Sequence, residues 1–228
     1  MKIVIIPARG GSKRITRKNI RLFHGKPILA YPIEAAVEAK CIERVIVSTE
    51  DPEIAEIARS FGAETPFLRS NQAADDHSTL HDVAVEVINN LQLSNEHVQV
   101  IVILPTVPFV TPQKVIDFAT ILDDKNYDSA LTVVRYEVSP FKALSISEDG
   151  VLEKASQDHL SERTQDLDDL FHDAGQMYAF YANEVLTRNS LTGVSCVPVK
   201  VDRAECHDID DLYDWSMAEM KYTLLRGK

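Results

Sequence analysis

Cysteine is scarce. Cys41, Cys196 and Cys206 are the only three in 228 residues, with no CxxC among them, so they read as free thiols in a reducing compartment rather than as a disulfide framework. No apolar run approaches the roughly 20 residues of a membrane span. The opening MKIVIIPARGG meets Arg9 too early for a secretory signal, so a cytoplasmic protein is expected. Positive charge is in deficit: 24 Lys and Arg stand against 35 Asp and Glu, a net charge of −11. Nonspecific nucleic-acid binding, which needs a basic surface, is therefore not expected. Repeats, low-complexity tracts and interdomain linkers are also missing. What remains is 45% hydrophobic and 26% charged, which excludes disorder as the main state. At about 100–200 residues per domain it makes one domain, residues 1–228, able to bury a full-sized core without staples.

Acids are absent from the first 33 residues, where Lys2, Arg9, Lys13, Arg14, Arg17, Lys18, Arg21 and Lys26 collect. An acidic protein that gathers a third of its cations in one place is expected to hold an anion there. The alternative is a solvated basic face.

Short β-branched runs alternate with helical patterns. Lys2–Pro7, Arg44–Ser48 and Val98–Leu104 read as buried strands. A helix is predicted from Pro27 to about Ala39. A second opens at Asp51-Pro52, presents Ile54, Ile57, Ala58 and Phe61, and stops at Gly62. Val83, Val87 and Leu91 mark a third, and Thr111-Pro112 opens a fourth through Val115, Ile116, Ala119 and Leu122. Strand and helix in turn, with continuous apolar strands, predict an α/β fold: a largely parallel sheet with helices on both faces. Residues 138–173 break the rhythm with nine acids between Glu148 and Asp173 and a turn at Glu148-Asp149-Gly150; a hairpin-containing excursion is expected. Strands at Gly175–Tyr181 and Val194–Val199 and a helix from Asp210 to about Leu225, with Leu212, Trp215, Ala218, Tyr222 and Leu225 on its core face, complete the reading.

The first strand runs into Ala8-Arg9-Gly10-Gly11-Ser12-Lys13-Arg14, which holds two of only eight glycines. Adjacent glycines let backbone amides curl around an anion, and the cations from Arg9 to Lys18 carry enough charge for a triphosphate. The spacing is neither GxxxxGK[ST] nor GxGxxG, which argues against a P-loop and a dinucleotide fold.

Ile6-Pro7-Ala8-Arg9-Gly10-Gly11-Ser12-Lys13-Arg14-Ile15-Thr16-Arg17-Lys18-Asn19-Ile20 resembles the signature loop of the sugar-acid cytidylyltransferases, the CMP-sialic acid synthetase family, with Thr16 in place of a proline and Arg14 where glycine is common. The likeness runs through almost the whole chain, including Val47–Asp51 and Phe67-Leu68-Arg69. Leu104 stands where sialic acid enzymes have a sugar-contacting glutamine. Arg163–Leu167, His172–Tyr178 and Asp208-Ile209-Asp210 with Asp214-Trp215 are similar to the pseudaminic acid subgroup.

The resemblance implies a Rossmann-like nucleotidyltransferase sheet and a homodimer joined through the excursion. It implies CTP and an acidic nine-carbon sugar as substrates. It implies that Arg9, Lys13 and Lys18 hold the triphosphate, with Lys18 stabilising charge on the α-phosphate and the Gly10, Gly11 and Ser12 backbone donors and Ala8 beside them. Asn19, Arg69, Ser78 and Thr79 are then nucleotide contacts. Leu104, Lys142, Arg163, Gln176 and Tyr178 are sugar contacts, though Lys142 also reads as an ordinary surface lysine and the Gln176–Tyr178 pair as core. Asp208 and Asp210, two apart and extended, would share Mg²⁺; the alternative is that one of them caps the last helix. His77 and His81 have the spacing of a zinc pair, but no third ligand matches. The rivals within this chemistry are legionaminic, sialic and KDO acids as acceptors. Outside it stands a nucleotide-binding regulator that has lost catalysis.

Overall fold

The computed structural model describes residues 1–70, 78–94, 97–124, 126–154, 163 and 167–227. In chain order the described strands are β1 (Lys2–Pro7), β2 (Leu22–Phe23), β3 (Lys26–Pro27), β4 (Arg44–Ser48), β5 (Gln99–Ile103), β6 (Ser129–Arg135), β7 (Leu144–Ile146), β8 (Leu152–Lys154), β9 (Phe171–Tyr181) and β10 (Cys196–Lys200). The helices are α1 (Ala30–Glu38), α2 (Pro52–Ser60), α3 (Leu80–Asn90), α4 (Pro112–Thr120), α5 (Ala182–Thr187) and α6 (Leu212–Arg226).

The central sheet has the order β10-β6-β9-β5-β1-β4. Its pairs are parallel except where β9 runs antiparallel between β5 and β6. The alternation along β1 divides the core. Val4 and Ile6 pack in one cluster with Ile33, Val115 and Phe118, while Ile3 and Ile5 pack in another with Val87, Ile88 and Phe180. All four β1 isoleucine and valine side chains are fully buried, which is why this strand reads as a continuous apolar run. The register sets Pro7 beside Ser48, so the loops leaving β1 and β4 emerge together at the carboxyl edge, where such sheets bind ligands.

Asp51 accepts hydrogen bonds from the Glu53 and Ile54 amides at the head of α2, and Gly62, at φ +96°, ends that turn as expected. The first helix does not start at Pro27. Leu22 pairs with Pro27 around a turn whose central residues, His24 and Gly25, both have positive φ. This hairpin uses Pro27 as strand, and α1 begins at Ala30. β9 begins at Phe171, not Gly175: Gly175, at φ +62°, sits inside an irregularity opposite Thr132, whose hydroxyl accepts from the Met177 amide at 3.0 Å. The tenth strand is Cys196–Lys200, two residues later than its pattern implied. The excursion contains the expected hairpin, β7 against β8; Thr164–Asp166 lie outside the described residues. Trp215 is buried in α6, but Leu212 and Leu225 are exposed.

Candidate active site

The loop after β1 is held from behind by the β4–α2 junction. The Ala8 amide donates to the Ser48 carbonyl at 2.9 Å, and the Gly10 amide to Glu50 Oε1 at 2.6 Å. A Cβ on Gly10 would lie 2.6 Å from Asp51 Oδ2 and 3.2 Å from Asp51 Cβ, so any side chain there would have to displace Asp51 or the loop. At the far end Arg17, in the left-handed region at φ 57°, pairs with Asp51 and Glu53. Burial opposes the charge on Asp51, yet Arg17 and the two helix amides outweigh it and hold its carboxyl below the usual range. Asn19 Nδ2 donates to the Arg9 carbonyl at 2.8 Å and closes the loop on itself.

This geometry changes the expected use of the glycines. The Gly10 amide is taken by Glu50 and the Ser12 amide by the Gly10 carbonyl, so neither points freely at an anion. Side chains line the cleft instead. Arg9, Ser12, Lys13, Arg14, Lys18 and Asn19 form one wall of a cleft of about 690 Å³. Arg69, Ser78, Thr79, Leu104, Thr106, Asp208 and Asp210 line it as well. Ala8 is buried beneath, and Ala8, Gly10 and Gly11 do not line it.

Arg69 is buried, its Nε donating to Ser48 Oγ at 3.0 Å and its Nη2 to the Ser48 carbonyl. Thr79 caps α3 through a capping box with Asp82. Lys18 Nζ donates to the Ile209 carbonyl at 2.7 Å. Burial lowers its pKa, against Asp210 and Asp208, which favour the charged form.

The last helix is capped by Asp211, whose side chain accepts from the Tyr213 and Asp214 amides. Asp208 and Asp210 are therefore free of the capping role, and both face the cleft. Ile209 between them is fully buried against Ile15, Phe23 and Trp215. Asp214 Oδ2 accepts from the Asp210 amide at 3.0 Å and fixes this segment from the helix side. Ile15 belongs to the same cluster, so the basic loop and the aspartates share one apolar anchor.

Sequence reasoning missed three parts of this scaffold. The D-x-x-D capping-box spacing at Asp211 and Asp214 was a readable signal. The Glu50 and Asp51 clamp had none, because it joins two distant loops. The ion pair of Arg14 with Asp210 is equally nonlocal.

Of the expected sugar contacts, Leu104 lines this cleft and the other four do not. Lys142, in a single helical turn, and exposed Arg163 do not line the cleft. Gln176 Nε2 donates to the Glu205 carbonyl at 2.8 Å, and Tyr178, mostly buried, donates to Asp173 Oδ2 at 2.7 Å. Both serve the scaffold here. A second cleft of about 650 Å³ meets the first at Asp208 and is lined by His172, Asp173, Gly175, Arg203, His207 and Lys221. His81 Nε2 faces the Val185 and Arg188 carbonyls and ties α3 to α5; His77 lies outside the described residues. Burial raises the pKa of the Cys206 thiol, which leaves it a poor nucleophile.

A sequence profile described as Cytidylyltransferase matches residues 3–189. The chain belongs to the cytidylyltransferase family. This cytidylyltransferase is 31% identical over 223 residues to the pseudaminic acid cytidylyltransferase of Campylobacter jejuni, covering 96% of this chain and 95% of that one. It is 32% identical over 207 residues to a Helicobacter pylori protein named pseudaminic acid cytidylyltransferase and UDP-2,4-diacetamido-2,4,6-trideoxy-beta-L-altropyranose hydrolase; the match spans 91% of this chain but 40% of that longer protein. In fold it is similar to a CMP:2-keto-3-deoxy-manno-octonic acid synthetase complexed with CTP, with a TM-score of 0.70 at 16% identity, covering 100% and 99% of the two chains.

Proposed function

We propose that this cytidylyltransferase joins CMP from CTP to the anomeric hydroxyl of a nonulosonic acid, most specifically pseudaminic acid, releasing pyrophosphate for bacterial surface-glycan synthesis. The observation that carries this is that the loop cations and two aspartates line one cleft at the carboxyl edge of the sheet. Arg9, Lys13 and Lys18 hold the triphosphate, and Lys18 meets the charge that builds on the α-phosphate. The buried Arg69, with Ser78 and Thr79, flanks the nucleoside end.

Among the described residues no group of three or more His, Cys, Asp and Glu is placed to hold a metal. Mg²⁺ needs only one or two carboxylates, completed by phosphate oxygens and water, and Asp208 and Asp210 fit that donor set. When bound, the ion would supply charge neutralisation for the phosphates and acidify a hydroxyl near it. The rest of the work is positioning. The sugar acid takes the second cleft, which meets the nucleotide cleft at Asp208; Arg203 and Lys221 are the cations for its carboxylate, in place of Lys142 and Arg163.

We place the enzyme in the cytoplasm, where CTP is at hand; no helix among the described residues is long and apolar enough to cross a membrane. The homodimer reading is supported by the excursion, where Leu144, Ile146, Val151 and Leu152 are all exposed. Pyrophosphate release with CTP and Mg²⁺, run against pseudaminic, legionaminic, sialic and KDO acids, tests the whole reading. Turnover with pseudaminic acid alone is expected. Turnover with another acid only would keep the chemistry and discard the sugar, and CTP binding without turnover on any acid would point to a regulator.

A further inference from the structure

Two contacts join the basic loop to the Asp208–Asp210 segment, both of which line the nucleotide cleft. Arg14 Nη2 donates to Asp210 Oδ1 at 2.6 Å, and Lys18 Nζ donates to the Ile209 carbonyl at 2.7 Å. Beneath them Ile15 and Ile209 share one buried cluster, so the two backbones are fixed neighbours. The Arg14 side chain is 66% exposed and that of Asp210 43%. Arg14 is thus anchored by its charge rather than by packing, and its guanidinium can re-pair without disturbing the core. A cation that takes Asp210 must displace the Arg14 charge. An anion that takes Arg14 must displace the Asp210 charge.

We propose that Arg14 is an internal counter-cation for Asp210 that makes the divalent metal and the triphosphate bind as a coupled pair. This rests on the reading that Asp208 and Asp210 hold the metal. In the free protein the guanidinium neutralises Asp210 and weakens its hold on a divalent cation. When the triphosphate arrives, the Arg14 N–H donors pass from carboxylate to phosphate oxygens, and Asp210 is released to the cation. One ion pair is replaced by two, because a phosphate accepts from guanidinium in the same forked geometry as a carboxylate. By linkage, the metal tightens the nucleotide by the factor with which the nucleotide tightens the metal. Arg14 here is a positioning residue: it governs whether Asp210 is available.

The test uses Mn²⁺ as the probe, titrated into the full chain without nucleotide and followed by the electron paramagnetic resonance of the free ion. Wild type, Arg14→Ala, Arg14→Lys and Asp210→Asn are compared. Because the contact to be broken is a surface ion pair, Arg14→Ala should bind Mn²⁺ about two- to fivefold more tightly than wild type. Arg14→Lys, which keeps the charge, should stay near wild type, and Asp210→Asn should lose Mn²⁺. Equal Mn²⁺ affinity in wild type and Arg14→Ala, with binding still lost in Asp210→Asn, overturns the coupling and leaves the metal site standing. Unchanged Mn²⁺ binding in Asp210→Asn overturns the metal site and the coupling together. Substitution at the exposed Arg14 removes no buried contact, so a folding defect does not confuse the comparison; equal melting temperatures verify this.

Discussion

At Gly10 the loop passes so close to the exit of β4 that a methyl group would lie 2.6 Å from Asp51 Oδ2. Gly10→Ala must push the loop away from its clamp, at an expected loss of about 1–3 kcal/mol of stability. Because Arg9 and Lys13 ride on the same loop, KM for CTP should rise with kcat less affected; steady-state kinetics beside a thermal melt reads both. Gly11 makes the contrast, since a Cβ there has no neighbour within 4 Å. Lys18 carries the second prediction at this scale. Replacing its ammonium by an apolar chain of similar length, Lys18→Met, should lower kcat/KM by about 10²–10³. Burial depresses the Lys18 pKa below its ordinary 10.5, so the protonated form is lost earlier than for a surface lysine. The alkaline limb of kcat/KM for CTP is therefore expected below pH 10.5 in wild type and absent from the residual activity of Lys18→Met. An unchanged alkaline limb in the variant would take Lys18 out of the reaction.

Among the described residues, the β7–β8 hairpin stands out for the apolar side chains it leaves uncovered. Leu144, Ile146 and Leu152 are each more than half exposed on strands of three residues. A two-stranded ribbon with its apolar side chains in water has little stability of its own, and a second copy is the occupant that the homodimer reading supplies. Leu144→Glu with Ile146→Glu should yield a folded monomer by light scattering, with pyrophosphate release reduced. A dimer of unchanged affinity would move the interface elsewhere. The loop and α6 form a contrasting pair, for Ile15 and Ile209 bind them within one chain. The turn at Glu148-Asp149-Gly150 was legible because glycine supplies its φ of +76°. The start of α1 was not, because Pro27 suits a helix's first turn and a hairpin strand alike, and only its pairing with Leu22 decides.

Four of the described aspartates anchor turns and helix starts as ionised groups. Asp51 and Asp128 sit against burial that is outweighed, in one by Arg17 and helix amides, in the other by Ser129 and the Ser195 and Val194 amides. Asp82 is held by the Thr79 amide and Asp214 by the amide of Asp210. All four have folded pKa values below the ordinary 3.8. A carboxyl depressed on folding contributes its stability in full above its unfolded pKa and loses it as pH falls through the folded value. Thermal stability should thus be level above about pH 5 and fall steeply below pH 3.8. A melting temperature independent of pH down to 2 would contradict these pairings.

The alternation of strand and helix, the basic loop and the Asp208-Ile209-Asp210 segment were all legible in the sequence, because period, capping and charge are properties of neighbours along the chain. So was the family, which rests on contiguous motifs. Which of those residues meet was decided only by the tertiary structure. Asp211 takes the helix cap and frees Asp208 and Asp210, Gln176 and Tyr178 turn to Glu205 and Asp173 instead of a cleft, and Arg14 reaches Asp210 across 196 positions. The physical reason is that hydrogen bonds and ion pairs act over a few ångströms of space, and the distance along a chain between two partners carries no trace of that separation until the sheet has been assembled.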